Sequence, residues 1–222
     1  MGSALAPRAA PQYHACMIAG PLGSLEYYEP GSGPAILFVP GSCSTGAAWR
    51  AVISALQGNF RTITTSLPGY GQSAERRTSA DPSIAPLALA IETVIHNART
   101  PVHLIGHSFG GEVSLAVALR GRVDLERLTI LEAPAPNILR AFGRRDQYDD
   151  FRGMMKAYFD DFDGGNSDAI SRMVDFYGGL GTFASWPEAV RDYVGKTTPT
   201  NILDWQSAYA LDYDPHSLAR LT

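Results

Sequence analysis

The residues best suited to chemistry stand in the stretch PVHLIGHSFGGEV, where Ser108 has Gly106 two positions before it and Gly110 two positions after it. An apolar run typical of a strand, 102–105, precedes this motif, and a helical pattern, 111–120, follows it. A sharp turn from strand to helix exposes the side chain at its apex, and it needs glycine on both sides because the backbone segments approach closely. The spacing therefore predicts that Ser108 is a nucleophile.

A serine in a glycine-rich turn can also be purely structural, and the five-residue pattern alone occurs by chance. The strand pattern before it and the helix pattern after it favour the nucleophile. The N-terminus of the following helix would also stabilise negative charge that develops during a reaction. We therefore interpret Ser108 as the nucleophile rather than as a turn residue.

The elements around this turn alternate between strand and helix patterns. Apolar or β-branched runs are typical of buried strands, and apolar residues spaced three and four apart are typical of helices. This alternation predicts a mostly parallel sheet flanked by helices. The strand-like runs are 23–29, which a turn at 30–33 joins to the next run, and 35–39, 61–67, 102–105 and 127–134. The helical patterns begin near Trp49, at Asp81-Pro82 and at Gly111.

The alternation stops from about residue 136 to 199, where aromatic and methionine residues are frequent and no run resembles a strand. We expect a helical cap inserted here over Ser108, with most of these side chains packing the cap itself and others facing substrate. The predicted division is a core at 1–135, the cap at 136–199, and a core helix at 200–222 that leads toward a further strand.

Three motifs, ILFVPGS, SLPGYGQS and LIGHSFGG, follow one another in this sequence. In order and spacing they resemble the α/β-hydrolase superfamily over roughly residues 25–135. Pro40 replaces the histidine that usually precedes the first glycine of the oxyanion loop, and Ser66 replaces a frequent acidic residue of the second motif. Neither position does the chemistry in the family. The resemblance implies an α/β-hydrolase fold with an inserted helical cap.

The resemblance also implies roles for single residues. Ser108 would be the nucleophile, and the backbone N–H groups of Ser42 and Phe109 would form the oxyanion hole. Two alternatives stay open for Ser42: Cys43 takes that role instead, or Ser42 serves only the turn. We do not expect Cys43 to be a second nucleophile, because nothing near it in sequence would lower the pKa of its thiol. No metal and no cofactor is implied.

A serine hydroxyl needs a base, which in this fold follows the acid and the nucleophile in the chain. Of the five histidines only His216 follows Ser108. The family has two more strands, on the order of 50 residues, which we expect to lie beyond Thr222. Three interpretations stay open: a fragment whose histidine lies further on, which we favour; a complete but inactive binding or scaffold protein; or recruitment of His216, with Asp212 or Asp214 orienting it.

Glu132 stands at the end of a strand-like run, 24 positions after Ser108. Some family members take their catalytic acid from this strand end, whereas in most the residue here is a supporting hydrogen-bond acceptor. Both roles stay open. His107 is expected to be an ordinary residue of the turn because its side chain points away from its neighbour. The other histidines are predicted in a tail, on a helix surface and in a strand: His14, His96 and His103.

The composition fits one ordinary globular unit, with 222 residues, 45% hydrophobic and 18% charged. A net charge of -4 gives no reason to expect a nucleic acid or an anionic membrane as partner. No apolar stretch approaches the roughly 20 residues of a membrane span, and no signal peptide is evident. Two cysteines without a framework favour a reducing compartment. We therefore expect a cytoplasmic protein.

The function that we predict is hydrolysis of a carboxylic ester or related acyl bond through an acyl-Ser108 intermediate. The substrate would be a small acyl compound with an apolar or aromatic part. A carbon–carbon bond hydrolase, a lactonase, an amidase or a perhydrolase would use the same motif, since these differ in the pocket and not in the nucleophile. The alternative of another class is a catalytically inactive ligand-binding or scaffold protein. The sequence leaves the oligomeric state open.

Overall fold

The computed structural model of the protein describes residues 16–20 and 22–221, and a six-stranded sheet lies at its centre. The strand order is β1-β2-β4-β3-β5-β6. β4, β3, β5 and β6 pair in parallel, whereas β1 and β2 run antiparallel to their neighbours. The strands are β1 (Cys16–Gly20), β2 (Gly23–Tyr28), β3 (Ala35–Val39), β4 (Arg61–Thr65), β5 (Val102–His107) and β6 (Leu125–Leu131). The predicted mostly parallel sheet is confirmed.

Helices cover both faces of this sheet. A short 3-10 helix (Gly46–Trp49) precedes the first α-helix. The α-helices are α1 (Arg50–Ala55), α2 (Ala85–Ala98), α3 (Phe109–Arg120), α4 (Pro136–Ala141), α5 (Arg145–Asp163), α6 (Ser171–Gly178), α7 (Thr182–Ser185), α8 (Glu188–Ala210) and α9 (Pro215–Leu218). None of the described helices combines the length and the apolar composition that a membrane crossing requires.

β3 lies between β4 and β5 and is buried along its whole length. On one face Leu37 and Val39 join the core cluster that α2 and α3 complete. On the other face Ile36 and Phe38 pack with Trp49 at the start of α1. Burial on both faces explains why this strand reads as a continuous apolar run rather than as an alternating pattern.

The start of α2 differs from the prediction at Asp81-Pro82. The helix begins at Ala85, and Ile84 occupies its N-cap position. The carboxylate of Asp81 instead accepts a hydrogen bond from the backbone N–H of Ser83 at 3.1 Å. An aspartate that binds the backbone two positions on forms a turn of its own, which the same sequence signal also favours. The turn precedes the helix and does not cap it.

β1 is a strand that the sequence pattern did not predict. It pairs with β2 from Cys16 opposite Tyr27 to Gly20 opposite Gly23. Its residues are mostly exposed or half-buried, so the segment carries little of the apolar periodicity by which strands are recognised. Residues 1–15, which precede this strand, lie outside the described residues.

Helices alone fill the described chain from residue 136 to 221, in the region where no strand was predicted. α8 is continuous and passes through the predicted boundary at 199/200, although Pro199 lies inside it. One helix therefore belongs to both the predicted cap and the predicted core segment. The division into core and cap and the two further strands stay predictions.

Candidate active site

Ser108 stands at the apex of the turn between β5 and α3, called here the nucleophile elbow (residues 106–110). Its φ of 52° and ψ of -131° lie outside the usual regions for a residue with a side chain. Such a conformation costs about 1–3 kcal/mol and persists only where the surroundings impose it. Here the Ser108 N–H donates to the Leu131 carbonyl of β6 at 2.9 Å, and its own carbonyl accepts from the Gly111 N–H at 2.8 Å. The two bonds hold the apex from both sides.

The two glycines of the elbow are required by close packing. A Cβ atom on Gly106 would lie 2.4 Å from the Gly110 carbonyl oxygen, and one on Gly110 would lie 2.2 Å from the Pro40 carbonyl oxygen. Both distances are well inside van der Waals contact. The physical reason given for the G-x-S-x-G spacing therefore applies at these positions.

The loop after β3, residues 40–43, packs directly on the elbow and is called here the oxyanion loop. A Cβ on Gly41 would lie 2.9 Å from the Ser108 Cβ and 3.4 Å from its Oγ. Ser42 follows Gly41, and Phe109 begins α3 immediately after Ser108. Among the described residues, the backbone N–H groups of Ser42 and Phe109 donate to no protein acceptor. The predicted oxyanion donors are thus available near Ser108, although their role stays a prediction.

The side chain of Ser42 is held by a residue that the sequence did not indicate. Its Oγ donates a hydrogen bond to Asp204 Oδ2 at 2.5 Å. The Tyr70 hydroxyl donates to the same oxygen at 2.6 Å, and Arg77 Nη1 pairs with Asp204 Oδ1 at 2.8 Å. Burial raises the pKa of Asp204, and the Arg77 guanidinium and the two hydroxyls oppose that shift. No sequence pattern links Ser42 to a residue 162 positions away.

Cys43 follows Ser42 with a left-handed φ of 56°. Burial, followed by the negative charge of Asp204, raises the pKa of its thiol to about 12. The sulfur therefore stays protonated at neutral pH and is a poor nucleophile. This agrees with the expectation that Cys43 is not a second nucleophile.

Glu112 is a second buried acid that sequence reasoning missed. It lies on the first turn of α3, four positions after Ser108, and is fully buried. The Tyr213 hydroxyl donates to its Oε1 at 2.8 Å. Burial raises the pKa of Glu112 to about 7, although the hydrogen bonds from Tyr213 and from the Ala135 backbone lower it. The available signal was one acid in a helix whose other residues up to Arg120 are apolar or small.

His107 and Glu132 contact each other at the side of the elbow. His107 Nε2 lies 3.8 Å from Glu132 Oε2, and the His107 ring meets the Trp49 ring edge-on at 6.4 Å between centroids. The Glu132 side chain is 89% exposed, and its φ is 52°. The described contacts of Glu132 thus connect it with His107 and not with Ser108, so its catalytic role stays a prediction.

His216 lies exposed on the short helix α9. Asp214 caps this helix by accepting hydrogen bonds from the backbone N–H groups of His216 at 3.2 Å and Ser217 at 3.0 Å. Asp212 pairs with Arg140. These contacts of Asp214 and Asp212 are therefore with backbone N–H groups and with Arg140, and not with the His216 imidazole. Within the described residues, no hydrogen bond or ion pair brings His216 to Ser108.

His103 and His96 have structural surroundings. His103 Nε2 lies 2.8 Å from the Thr129 hydroxyl between two strands, and His96 is exposed on α2, as expected. His14 lies outside the described residues. Over residues 16–20 and 22–221, no group of three or more His, Cys, Asp or Glu side chains is placed to hold a metal ion.

Aromatic side chains of the predicted cap pack largely on one another. Phe151 is buried, with its ring centroid 5.3 Å from that of Trp205 and 5.8 Å from that of Phe176. Phe176 and Tyr177 nevertheless keep half or more of their surface exposed. The cluster therefore supplies a core for these helices and leaves an aromatic surface outside it.

Curated relatives are similar to this chain over more than half of its length. A pimeloyl-[acyl-carrier protein] methyl ester esterase of Vibrio campbellii is 30% identical over 131 residues, which are 54% of this chain and 49% of the relative. A soluble epoxide hydrolase of Corynebacterium sp. is 33% identical over 129 residues, 58% of this chain and 44% of the relative. The chain spans about half the length of the curated relatives it matches.

Solved structures share the fold over most of the chain. An esterase from Exiguobacterium antarcticum aligns with a TM-score of 0.63 and 22% identity, covering 90% of this chain and 74% of that one. A Bacillus megaterium epoxide hydrolase aligns with a TM-score of 0.65 and 19% identity, covering 92% and 75%. Residues 36–220 match the model of the alpha/beta hydrolase family. The chain therefore belongs to the alpha/beta hydrolase family.

Proposed function

We propose that the protein hydrolyses carboxylic esters or related acyl bonds through an acyl-enzyme intermediate on Ser108. The observation that carries the proposal is the elbow geometry. Ser108 is held at φ 52° at the apex of the turn. The backbone N–H groups of Ser42 and Phe109, for which the described part of the chain supplies no acceptor, lie on the segments that adjoin it. Donors fixed in advance at the place where negative charge develops are the usual means of lowering the barrier to acyl transfer.

In the first half of the reaction, the Ser108 hydroxyl loses its proton to a base while Oγ bonds to the acyl carbon. The carbonyl electron pair moves onto oxygen, and the N–H groups of Ser42 and Phe109 stabilise that oxyanion. The electron pair then returns, the bond to the leaving oxygen breaks, and the leaving group takes up the proton. Water attacks the resulting ester in the same way and releases the acid and free Ser108.

The nucleophile favours an acyl substrate over an epoxide, although one of the relatives is an epoxide hydrolase. Attack of a serine oxygen on an epoxide carbon would give an ether, which has no carbonyl for water to attack. Attack on an ester or thioester gives an acyl-serine that water can hydrolyse. Ser108 therefore supports the chemistry named for the esterase relative.

We expect a small acyl substrate whose apolar or aromatic part contacts the cap. The exposed aromatic rings of Phe176 and Tyr177 support this substrate class. Net charge of -4 gives no reason to propose a nucleic-acid or anionic membrane partner. The free thiols Cys16 and Cys43 favour a reducing compartment, and we propose a cytoplasmic location.

The test is labelling with a fluorophosphonate, followed by intact-mass measurement and by hydrolysis of p-nitrophenyl esters. We expect one adduct, its loss in Ser108→Ala, and its retention in Ser185→Ala, whose hydroxyl only bonds the Thr182 carbonyl within the cap. His216→Ala decides whether this histidine supplies the base: slow labelling assigns it, and unchanged labelling places the base elsewhere. A folded wild-type protein that takes up no label would instead support the inactive ligand-binding protein.

A further inference from the structure

We infer that Asp204 is a positioning residue for the oxyanion loop, because its carboxylate holds the Ser42 hydroxyl and thereby keeps the Ser42 backbone N–H beside Ser108. The inference rests on the proposed function and deepens it. It assigns to helix α8 a part in the reaction that the nucleophile elbow alone does not provide. The hydrogen bond from Ser42 Oγ to Asp204 Oδ2, 2.5 Å long, is the contact that carries it.

The oxyanion loop needs an anchor because its own backbone is weakly constrained. Gly41 precedes Ser42, and Cys43 follows it with a left-handed φ of 56°. Neither Ser42 nor Cys43 lies in a helix or strand. The loop also packs tightly, since a Cβ on Gly41 would lie only 2.9 Å from the Ser108 Cβ. A displacement of a few tenths of an ångström would therefore move the Ser42 N–H relative to the reacting carbon.

Asp204 has the rigidity of a good anchor. Its side chain is 1% exposed, and Arg77, which pairs with it, is 2% exposed. Arg77 is held in turn by Glu75, whose Oε2 lies 2.7 Å from Arg77 Nη2. Tyr70, which is fully buried, donates to the same Asp204 oxygen as Ser42. The carboxylate is thus fixed by a cation on one oxygen and by two hydroxyls on the other.

Ser42 has two hydrogen-bond donors, its hydroxyl and its backbone N–H, and the bond to Asp204 engages only the hydroxyl. A carboxylate acceptor makes the hydrogen bond roughly twice as strong as one between neutral groups. The Ser42 hydroxyl proton is committed to Asp204, so the backbone N–H is the donor that remains for substrate. Because Asp204 lies on α8, which begins in the predicted cap, a shift of that helix would also shift the oxyanion loop.

The experiment compares Ser42→Ala, Asp204→Asn and the double variant with the wild type. Ser42→Ala removes the hydroxyl and keeps the backbone N–H. The control is Tyr158→Phe, which removes a buried 2.9 Å hydrogen bond to Asn201, one turn before Asp204 on the same helix. The bond that this control removes is on α8 and involves neither the oxyanion loop nor Asp204. The readouts are the fluorophosphonate labelling rate, and kcat and KM for a p-nitrophenyl ester.

We expect both single variants to lower the labelling rate and kcat by about 10- to 100-fold, less than full loss of an oxyanion donor, with KM changed less than about threefold. The double variant should be no slower than the slower single variant, because each single change already disrupts the bond between Ser42 and Asp204. Asp204→Asn also alters the contacts with Tyr70 and Arg77, so it should be the slower of the two. Tyr158→Phe should stay within about twofold of the wild type. Equal rates for Asp204→Asn and Tyr158→Phe, or additive losses, would overturn the inference.

Backbone amide order parameters at residues 41–43 test the positioning without any activity. We expect the order parameters of the Ser42 and Cys43 amides to fall from about 0.85, the value of a rigid backbone, to below about 0.6 in Ser42→Ala and Asp204→Asn, and not in Tyr158→Phe. Should the wild type take up no label, the proposed function fails while these order parameters still decide the role of Asp204. If the wild type is labelled but order parameters and labelling are unchanged in both variants, the inference about Asp204 fails alone.

Discussion

The Tyr213 hydroxyl donates a 2.8 Å hydrogen bond to the buried carboxyl group of Glu112, one helical turn beyond Ser108. This contact joins the start of α3 to the segment that follows α8, 101 positions later in the chain. The surroundings are apolar, because Tyr213 packs with Leu115 and Ala135. A carboxylate here is poorly solvated, which is why the pKa of Glu112 is raised to about 7.

The raised pKa makes stability depend on pH in a defined direction. The folded protein binds the Glu112 proton more tightly than the unfolded chain does, so ionisation costs stability as pH rises from about 4.5 through about 7. The full cost above pH 8 is roughly 3 kcal/mol. In Glu112→Gln this cost is absent. The free energy of unfolding of the variant, relative to the wild type, should therefore rise between pH 5 and pH 8, as measured by urea unfolding.

Glu126→Gln on β6 is the matched control, since Glu126 is exposed. Its difference from the wild type should not change with pH by more than about 0.5 kcal/mol. A Glu112→Gln variant that follows the wild-type pH profile would show that Glu112 is ordinarily acidic in the folded protein.

Replacement of Gly110 by alanine tests the packing of the elbow. The added Cβ would lie 2.2 Å from the Pro40 carbonyl oxygen, so we expect Gly110→Ala to lower the free energy of unfolding by about 1–3 kcal/mol. Fluorophosphonate labelling of Ser108 should be lost as well. Gly153→Ala is the control: Gly153 lies inside α5, and a Cβ there meets nothing within 4 Å. It should stabilise the protein by roughly 0.5–1 kcal/mol, and equal effects of the two changes would contradict the packing argument.

The ion pair between Glu92 and Arg120 fastens α2 to α3. Arg120 Nε lies 2.6 Å from Glu92 Oε1, and the Glu92 side chain is only 3% exposed. Arg120→Ala leaves a buried carboxylate without its cation, and we expect a loss of roughly 3 kcal/mol in the free energy of unfolding. Replacing both residues by methionine should recover at least half of that loss. Lys156→Ala breaks an exposed pair with Asp160 and should cost less than about 0.5 kcal/mol in the same assay.

The two cysteines should differ sharply toward a thiol reagent. Cys16 is exposed on β1, whereas burial raises the pKa of Cys43 to about 12. At pH 8 we expect Cys16 of the folded protein to react rapidly with DTNB and to release one equivalent of thionitrobenzoate. Cys43 should release the second equivalent roughly 100-fold more slowly or slower still. In urea both equivalents should react together. Two rapid equivalents from folded protein would contradict the raised pKa of the Cys43 thiol.

Local patterns predicted the elements and the nucleophile. The apolar run of β3 and the glycines around Ser108 each span only a few residues. A short stretch of sequence is therefore enough to predict the strand or the turn. The strand-turn-helix geometry at Ser108 follows from that stretch and the structure has it.

Long-range contacts supply the rest of the site and leave little trace in sequence. The bond between Ser42 and Asp204 depends on how α8 crosses the core, which no local spacing encodes. Glu112 gives a weak local signal, one acid in an apolar helix, but its partner Tyr213 lies far along the chain. β1 was missed because its exposed residues lack a strand's alternation.

The parallel pairing at the elbow also dictates when it can form as the chain folds. Val39 pairs with Gly106, and the Ser108 N–H donates to Leu131, so each contact closes a loop of tens of residues. Closing such loops lowers the chain entropy before the new contacts stabilise the fold. These contacts therefore form more slowly than those of a hairpin such as β1–β2. During synthesis the strained turn at Ser108 gains its last backbone support only after Leu131 has left the ribosome. The turn at Ser108 is thus a late product of folding.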